Sequence, residues 1–336
     1  MAIDKESEKE LPLRAQLLFL LIMISRRLLR IKALHLLYAY RASEDATLRK
    51  SEKELMFSIE KSYDLYHLIL LLITDIARYA EQRIEIARSK YFPTAEEANP
   101  NTRFIDNTLI KIINDNSDFN RYLETRKVSW SNEEELIKGL YREMLEWEIY
   151  QEFMAQPEVS FEEEKRFLIR LAAELIIPSE SLETVLEEQS IYWNDDLEFI
   201  GSMVVKTLER LKTGRKLQMM DMFSNEDDRV FVLDLFRQTV LHGEDYRELI
   251  RKYSENWDFE RLAAMDILIM EMAITEAVHF NSIPVKVTLN EYIEIAKYYS
   301  TEKSSLFING ILDKLFAQLK ADKKIVKTGR GLIGEV

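Results

Sequence analysis

Glycine and proline are scarce in this chain, eight and six in 336 residues. Doubly wound sheets and β-sandwiches turn repeatedly on these residues, so the deficit points to helices joined by a few punctuated loops. Apolar spacing agrees. Leu29, Ala33, Leu36, Leu37 and Tyr40 recur at a helical period within residues 25–42, with Ser25 as the expected N-cap. No β-alternation of useful length is present. The spacing predicts further helices over 52–90 (one long helix or a kinked pair), 103–124, 132–155, 160–176, 180–190 and 195–213. In the last third it predicts 229–241, 245–253, 258–280, 288–299 and 304–319. Residues 91–102 hold Pro93 and Pro100 and read as a loop. Ser131-Asn132 and Ser160 precede acidic first turns and read as helix starts, His242-Gly243 as a stop, and Thr288 to Glu291 as a capping box.

Composition narrows the function classes. There is no cysteine, which removes disulfides, thiolate metal sites, iron–sulfur clusters and cysteine nucleophiles. His35, His67, His242 and His279 are far apart, and each reads as packed or solvated. Glu133–Glu135 and Glu162–Glu164 read as acidic first turns of surface helices rather than metal clusters. Gly329 to Gly334 spells GxGxxG but lacks a preceding strand and a following helix, so it is no dinucleotide site. No cofactor and no catalytic constellation are expected. The apolar run Leu17–Ile24 is too short to span a bilayer, and no leader is expected. The expected location is the cytoplasm, and residues 1–22 read as an upstream extension.

The net charge is −13, so overall charge gives no affinity for nucleic acid. Its distribution is uneven. Residues 23–42 carry Arg26, Arg27, Arg30, Lys32 and Arg41 and no acid, a local +5. Residues 314–336 sum to +4, residues 43–225 to −13 and residues 226–313 to −8. Charged residues at a helix start are often only solvated, but three arginines there oppose the helix dipole without a local acid. They mark a candidate binding patch. Lys286, Lys297 and Lys303, which core packing does not explain, extend the candidates for phosphate contact.

The stretch Trp257–Lys314 carries a more specific pattern. It reads WDFERL, MDIL, ITE, IPVKVTLNE, IAK and FINGILDK in that order. It resembles the C-terminal half of the NusB family of transcription antitermination factors over roughly 229–319. Residues 25–38 resemble that family's arginine-rich first helix. The resemblance implies an all-α fold, a NusB-like helical bundle built from both ends of the chain with an additional central helical insertion. The expected parts are 1–22 (extension), 23–42 (first helix), 43–225 (acidic insertion), 226–319 (C-terminal part) and 320–336 (basic tail, frayed). Gly310 inside a helix implies a close-packed neighbour.

The resemblance further implies RNA binding rather than catalysis. Family members pair with NusE, a small-subunit ribosomal protein, on single-stranded boxA RNA of nascent ribosomal transcripts, and help the transcribing RNA polymerase complex resist termination. On this basis Arg26, Arg27, Arg30, Lys32, Lys286 and Lys303 are expected to meet phosphates, and Tyr299 a base. Tyr38, Asp266 and Glu276 are expected at the NusE-facing or adjoining surface. A patch neutralising about four phosphates gives a salt slope near −3 on single strands. The alternative is a helical protein–protein scaffold that has lost RNA binding. An RNA cytosine methyltransferase with a NusB-like domain is disfavoured, because its cysteines and glycine-rich cofactor loop are missing.

Overall fold

The computed structural model describes residues 26–223, 225–254 and 262–333. Fourteen α-helices and no strand occur among them. They fall into two compact units, one of residues 60–222 and one of residues 26–59 with 223–336. Residues 1–22, the Ser25 cap and the segment Trp257–Arg261, with its Asp258 cap, lie outside the described residues.

The terminal unit begins with α1 (Arg26–Ala42), whose Leu28, Leu29, Ile31, Ala33, Leu34, Leu36 and Leu37 are buried. The chain then enters α2 (Leu48–Arg88), a single helix of 41 residues rather than a kinked pair. It passes from the terminal unit to the central one within α2, after Ile59. The central unit continues with α3 (Ala95–Ala98), α4 (Thr108–Asn114), α5 (Ser117–Arg126), α6 (Glu134–Glu146), α7 (Glu148–Ala155), α8 (Phe161–Arg170), α9 (Glu180–Gln189) and α10 (Leu197–Glu209). The terminal unit resumes with α11 (Glu226–Tyr253), α12 (Ala264–His279), α13 (Val285–Tyr299) and α14 (Glu302–Ala321).

Local polar chemistry explains where expected helices break. The 91–102 loop contains α3, held by a capping box between Thr94 and Glu97. The 103–124 segment divides because the Asn107 and Asn116 side chains each cap a new helix, accepting from Leu109 N and Phe119 N. The 132–155 segment divides at Trp147, whose backbone is extended. Ser160 and Glu163 form the expected capping box, which accounts for that acidic triplet. Residues 171–176 then widen into a π turn. The α6 cap is Glu133, not Ser131 or Asn132, and makes no side-chain bond.

Aromatic residues fix the central unit. The indole N–H groups of Trp130 and Trp193 donate to Leu68 O and Lys61 O, both at 2.7 Å. His67 stacks on Tyr122 at 3.7 Å. Burial pushes the His67 pKa down to about 4, so the ring is neutral at physiological pH.

In the terminal unit α12 is the core helix. Residues Asp266 to Ala277 are buried without interruption, and α1, α11, α13 and α14 pack around it. Four local readings change here. His242-Gly243 does not stop a helix, because α11 runs through it. A Cβ on Gly243 would lie 2.8 Å from Arg41 Nη2 and 3.3 Å from Glu271 Oε2, so the glycine makes room for that ion pair. Thr288 does not open α13; it is buried one turn inside, and Pro284 is the first cap. Thr301, not Ser304, caps α14. Finally, a Cβ on Gly310 would meet nothing within 4 Å, so no neighbouring helix demands the glycine.

The tail beyond α14 is folded rather than frayed. Ile325 is buried, Lys327 Nζ donates to Phe280 O at 2.9 Å, and Thr328 N donates to Asn281 O at 3.0 Å. Gly331 lies so close to Asn281 O that a Cβ would sit 2.0 Å from it.

Because Gly310 sits exposed in α14 with open space around it, Gly310→Ala is expected to stabilise the protein by about 0.5–1 kcal/mol. Urea denaturation with an unchanged slope checks this. Gly331→Ala is expected to destabilise in the same assay.

Candidate functional site

The acid-free first turns of α1 meet acids supplied by three distant helices. Arg26 Nε donates to Asp228 Oδ1 of α11 at 2.7 Å. Arg27 makes a forked pair with Glu291 of α13, at 3.0 and 2.8 Å. Arg30 makes a second forked pair with Glu276 of α12, at 2.7 and 2.8 Å, and reaches Glu291 at 3.4 Å. Fork geometry suits the planar guanidinium and is the stronger form of such pairs. The Phe231 ring lies beneath both Arg26 and Arg30, at 5.0 and 5.3 Å from its centre.

The Arg30–Glu276 pair is enclosed, with side chains 3% and 0% exposed. Glu276 also accepts from the Thr288 and Tyr292 hydroxyls at 2.9 and 3.3 Å. Burial alone would lower the Arg30 pKa; the adjoining Glu276 carboxylate and its hydrogen bonds reverse this and raise it. Burial likewise pushes Glu291 up, but the hydrogen bond from Arg27 and the charges of Arg30 and Arg27 bring its carboxyl below the usual value. At the other end of α1, Arg41 pairs with the buried Glu271, which also accepts from Arg247 at 3.2 Å. Burial is strong enough there to leave the Glu271 carboxyl raised despite Arg41 and Arg247.

These contacts sort the sequence-derived candidates. Arg26 and Arg27 are paired yet remain 36% and 24% exposed. Arg30 is sealed, and so is Lys32. Glu276 and Asp266 are buried, the first on Arg30 and the second accepting from the Ser300 hydroxyl. Tyr38 is exposed. Lys286 is exposed on the first turn of α13, with no ion-pair partner among the described residues. Tyr299 is half-buried, edge-on to His35 with ring centres 5.2 Å apart. Lys303 falls on α14, and its side chain lies outside the described residues.

The pairs Arg27–Glu291 and His35–Tyr299 share one sequence offset, so α1 and α13 run parallel along their seam. Eight residues of helix separate the two contacts, about 12 Å. The structure therefore brings Arg26, Arg27 and Lys286 to one end of the seam and Tyr299 to the other. Asp228, Glu291, Glu271, Arg41 and Gly243 belong to the same arrangement and were missed from sequence. Their pairing spans as many as 264 residues, and no local spacing signals it.

Breaking an enclosed pair leaves an uncompensated charge, so Arg30→Met is expected to cost about 3–5 kcal/mol. Arg30→Met combined with Glu276→Leu is expected to recover part of that loss, measured by chemical denaturation. Glu291 makes a pH prediction. Its folded carboxyl lies below the unfolded value of about 4.3, so its contribution is present above that pH. It is lost as pH falls through the folded pKa. Glu291→Gln is expected to flatten the stability curve in this acid range.

Residues 196–317 match the family model described as NusB family. The chain is 44% identical over 106 residues to the Transcription antitermination protein NusB of Salinibacter ruber, covering 32% of this chain and 66% of the relative. It is 40% identical over 103 residues to the protein of that name from Chloroherpeton thalassium, covering 31% of this chain and 49% of the relative. It is 36% identical over 120 residues to that of Acetivibrio thermocellus, covering 34% of this chain and 83% of the relative. The chain thus spans less than two thirds of the first two relatives. No solved structure matches. With the all-α terminal unit and this similarity together, the chain belongs to the NusB family.

Proposed function

We propose that this protein is an RNA-binding transcription antitermination factor that acts with NusE on boxA-type RNA in the cytoplasm, by binding and without a chemical step. The observation that carries the reading is the α1–α13 seam within the family-like unit. Arg26, Arg27 and Lys286 gather at one end of it and the Tyr299 ring at the other. A single strand laid along this seam meets phosphate partners first and a stacking face next. Arg30 positions Glu291, and through it Arg27, instead of meeting RNA itself. Tyr38, exposed on α1, is the candidate for the NusE side. No helix among the described residues is long and apolar enough to cross a membrane.

A second reading has one observation in its favour. Arg26, Arg27 and Arg30 already hold carboxylates, as expected of a scaffold in which the basic helix serves only the fold.

Fluorescence anisotropy with a labelled boxA RNA, a scrambled control, and NusE present or absent separates the two. Three cations at the seam give an expected salt slope of about −2 for a single strand. Arg26→Ala with Arg27→Ala is expected to weaken boxA binding at least tenfold while circular dichroism stays unchanged. A folded protein that binds neither RNA, with or without NusE, supports the scaffold.

A further inference from the structure

The central unit is acidic, with 20 bases against 32 acids over residues 60–222. One short segment reverses this. Residues 206–216 (KTLERLKTGRK) hold Lys206, Arg210, Lys212, Arg215 and Lys216 against the single acid Glu209. In the structure this segment is the end of α10 and the turn that follows it. It borders a cavity of about 490 Å³ whose lining includes Arg210, Lys212, Arg215 and Lys216 and no carboxylate. Buried Leu211 and Leu217 also line it.

The wall is built, not loose. Gly214 adopts φ +71° and Arg215 N donates to Lys212 O at 3.0 Å, a tight turn that returns the chain to the same cavity. Beyond the turn, the Asn116 side-chain amide donates to Leu217 O at 2.8 Å, the Tyr63 hydroxyl to Met220 O at 2.7 Å, and Met220 N to the Tyr66 hydroxyl at 3.2 Å. Tyr66 also shares a hydrogen bond with Thr207, on the last turns of α10.

The cations are uncompensated. Among the described residues, none of Arg210, Lys212, Arg215 and Lys216 makes an ion pair, in contrast to the arginines of α1. The Lys206 ammonium, one helical turn before Arg210, is shielded from water and has no hydrogen-bond partner among the described residues. Burial holds its pKa below the usual lysine value; Glu209 opposes this and Arg210 adds to it. Basic residues at a helix C-terminus offset the dipole, which accounts for Lys206 and Arg210. It does not account for the three further cations carried back to the cavity by the turn.

We propose that this cavity is a binding site for a polyphosphate-bearing small molecule of nucleotide size. Its volume lies within the range of small-ligand pockets, about 300–1,000 Å³. Arginine and lysine together supply forked and point-charge partners for phosphate oxygens. Leu211 and Leu217 offer an apolar floor for the remainder of such a ligand. The site lies in the central unit and does not depend on the RNA reading of α1 and α13.

Isothermal titration calorimetry on the full chain tests it with guanosine triphosphate, adenosine triphosphate, inorganic triphosphate, guanosine and a ten-nucleotide single-stranded RNA. Saturable binding of the triphosphates, at least tenfold tighter than guanosine and weakened by salt, is expected. Arg215→Ala with Lys216→Ala, both exposed positions, is expected to reduce it at least tenfold while circular dichroism and thermal midpoint without ligand are unchanged. Nucleotides binding tenfold tighter than inorganic triphosphate assign the site to a nucleotide; equal affinities assign it to the polyphosphate alone. Three results overturn the proposal: no heat from any triphosphate, binding that the double variant leaves intact, or RNA binding lost in that variant while the triphosphates do not bind.

Discussion

The enclosed pair between Arg30 and Glu276 sets the geometry of the terminal unit. A guanidinium and a carboxylate taken out of water each lose several kcal/mol of hydration, and only tight geometry with further hydrogen bonds returns it. Here the fork, the Thr288 and Tyr292 hydroxyls and the Phe231 ring provide both. The pair is satisfied in only one placement of α1 against α12 and α13. Apolar helices slide on one another at little cost, whereas a slip here strands two charges. The Arg41–Glu271 pair repeats the device at the far end of α1, and Gly243 gives up its side chain to admit it. The two pairs specify register, and the surrounding leucines and isoleucines supply the burial.

That use of charge has a consequence for binding at the same surface. Arg26 and Arg27 are exposed enough to meet a phosphate but must share or release Asp228 and Glu291 to do so. A phosphate contact there is an exchange of anions, worth less than capture by a free cation. Lys286 has no such exchange to make. Any RNA affinity of the seam therefore rests more on Lys286 and on the aromatic end at Tyr299 than the arginine count of α1 suggests.

The helical class, the long α2 and the buried leucine face of α1 were legible because each depends on spacing within a few turns. The capping box at Ser160 was legible for the same reason. Errors arose where a residue's local meaning is overruled by something distant. Gly243 reads as a stop until the Arg41–Glu271 pair is known to pass beside it. Thr288 reads as a cap until its hydroxyl is found on Glu276. The basic tail reads as frayed until Lys327 and Thr328 are found on the backbone of Phe280 and Asn281. Gly310 is the reverse case, since close packing was inferred and open space was found.

Residues 26–30 and 206–216 look alike as sequence, each a short helical stretch rich in arginine or lysine and poor in acid. Their physical states differ. The first finds Asp228, Glu276 and Glu291 across 202 to 264 residues of chain and is neutralised within the fold. The second has Glu209 for its local acid and lines a cavity with its charges unspent. Net charge, −13 for the whole chain, distinguishes neither. What a basic run does is decided by whether tertiary structure delivers carboxylates to it. Where it does, the run is part of the fold's register; where it does not, the field it leaves is open to an anion from outside.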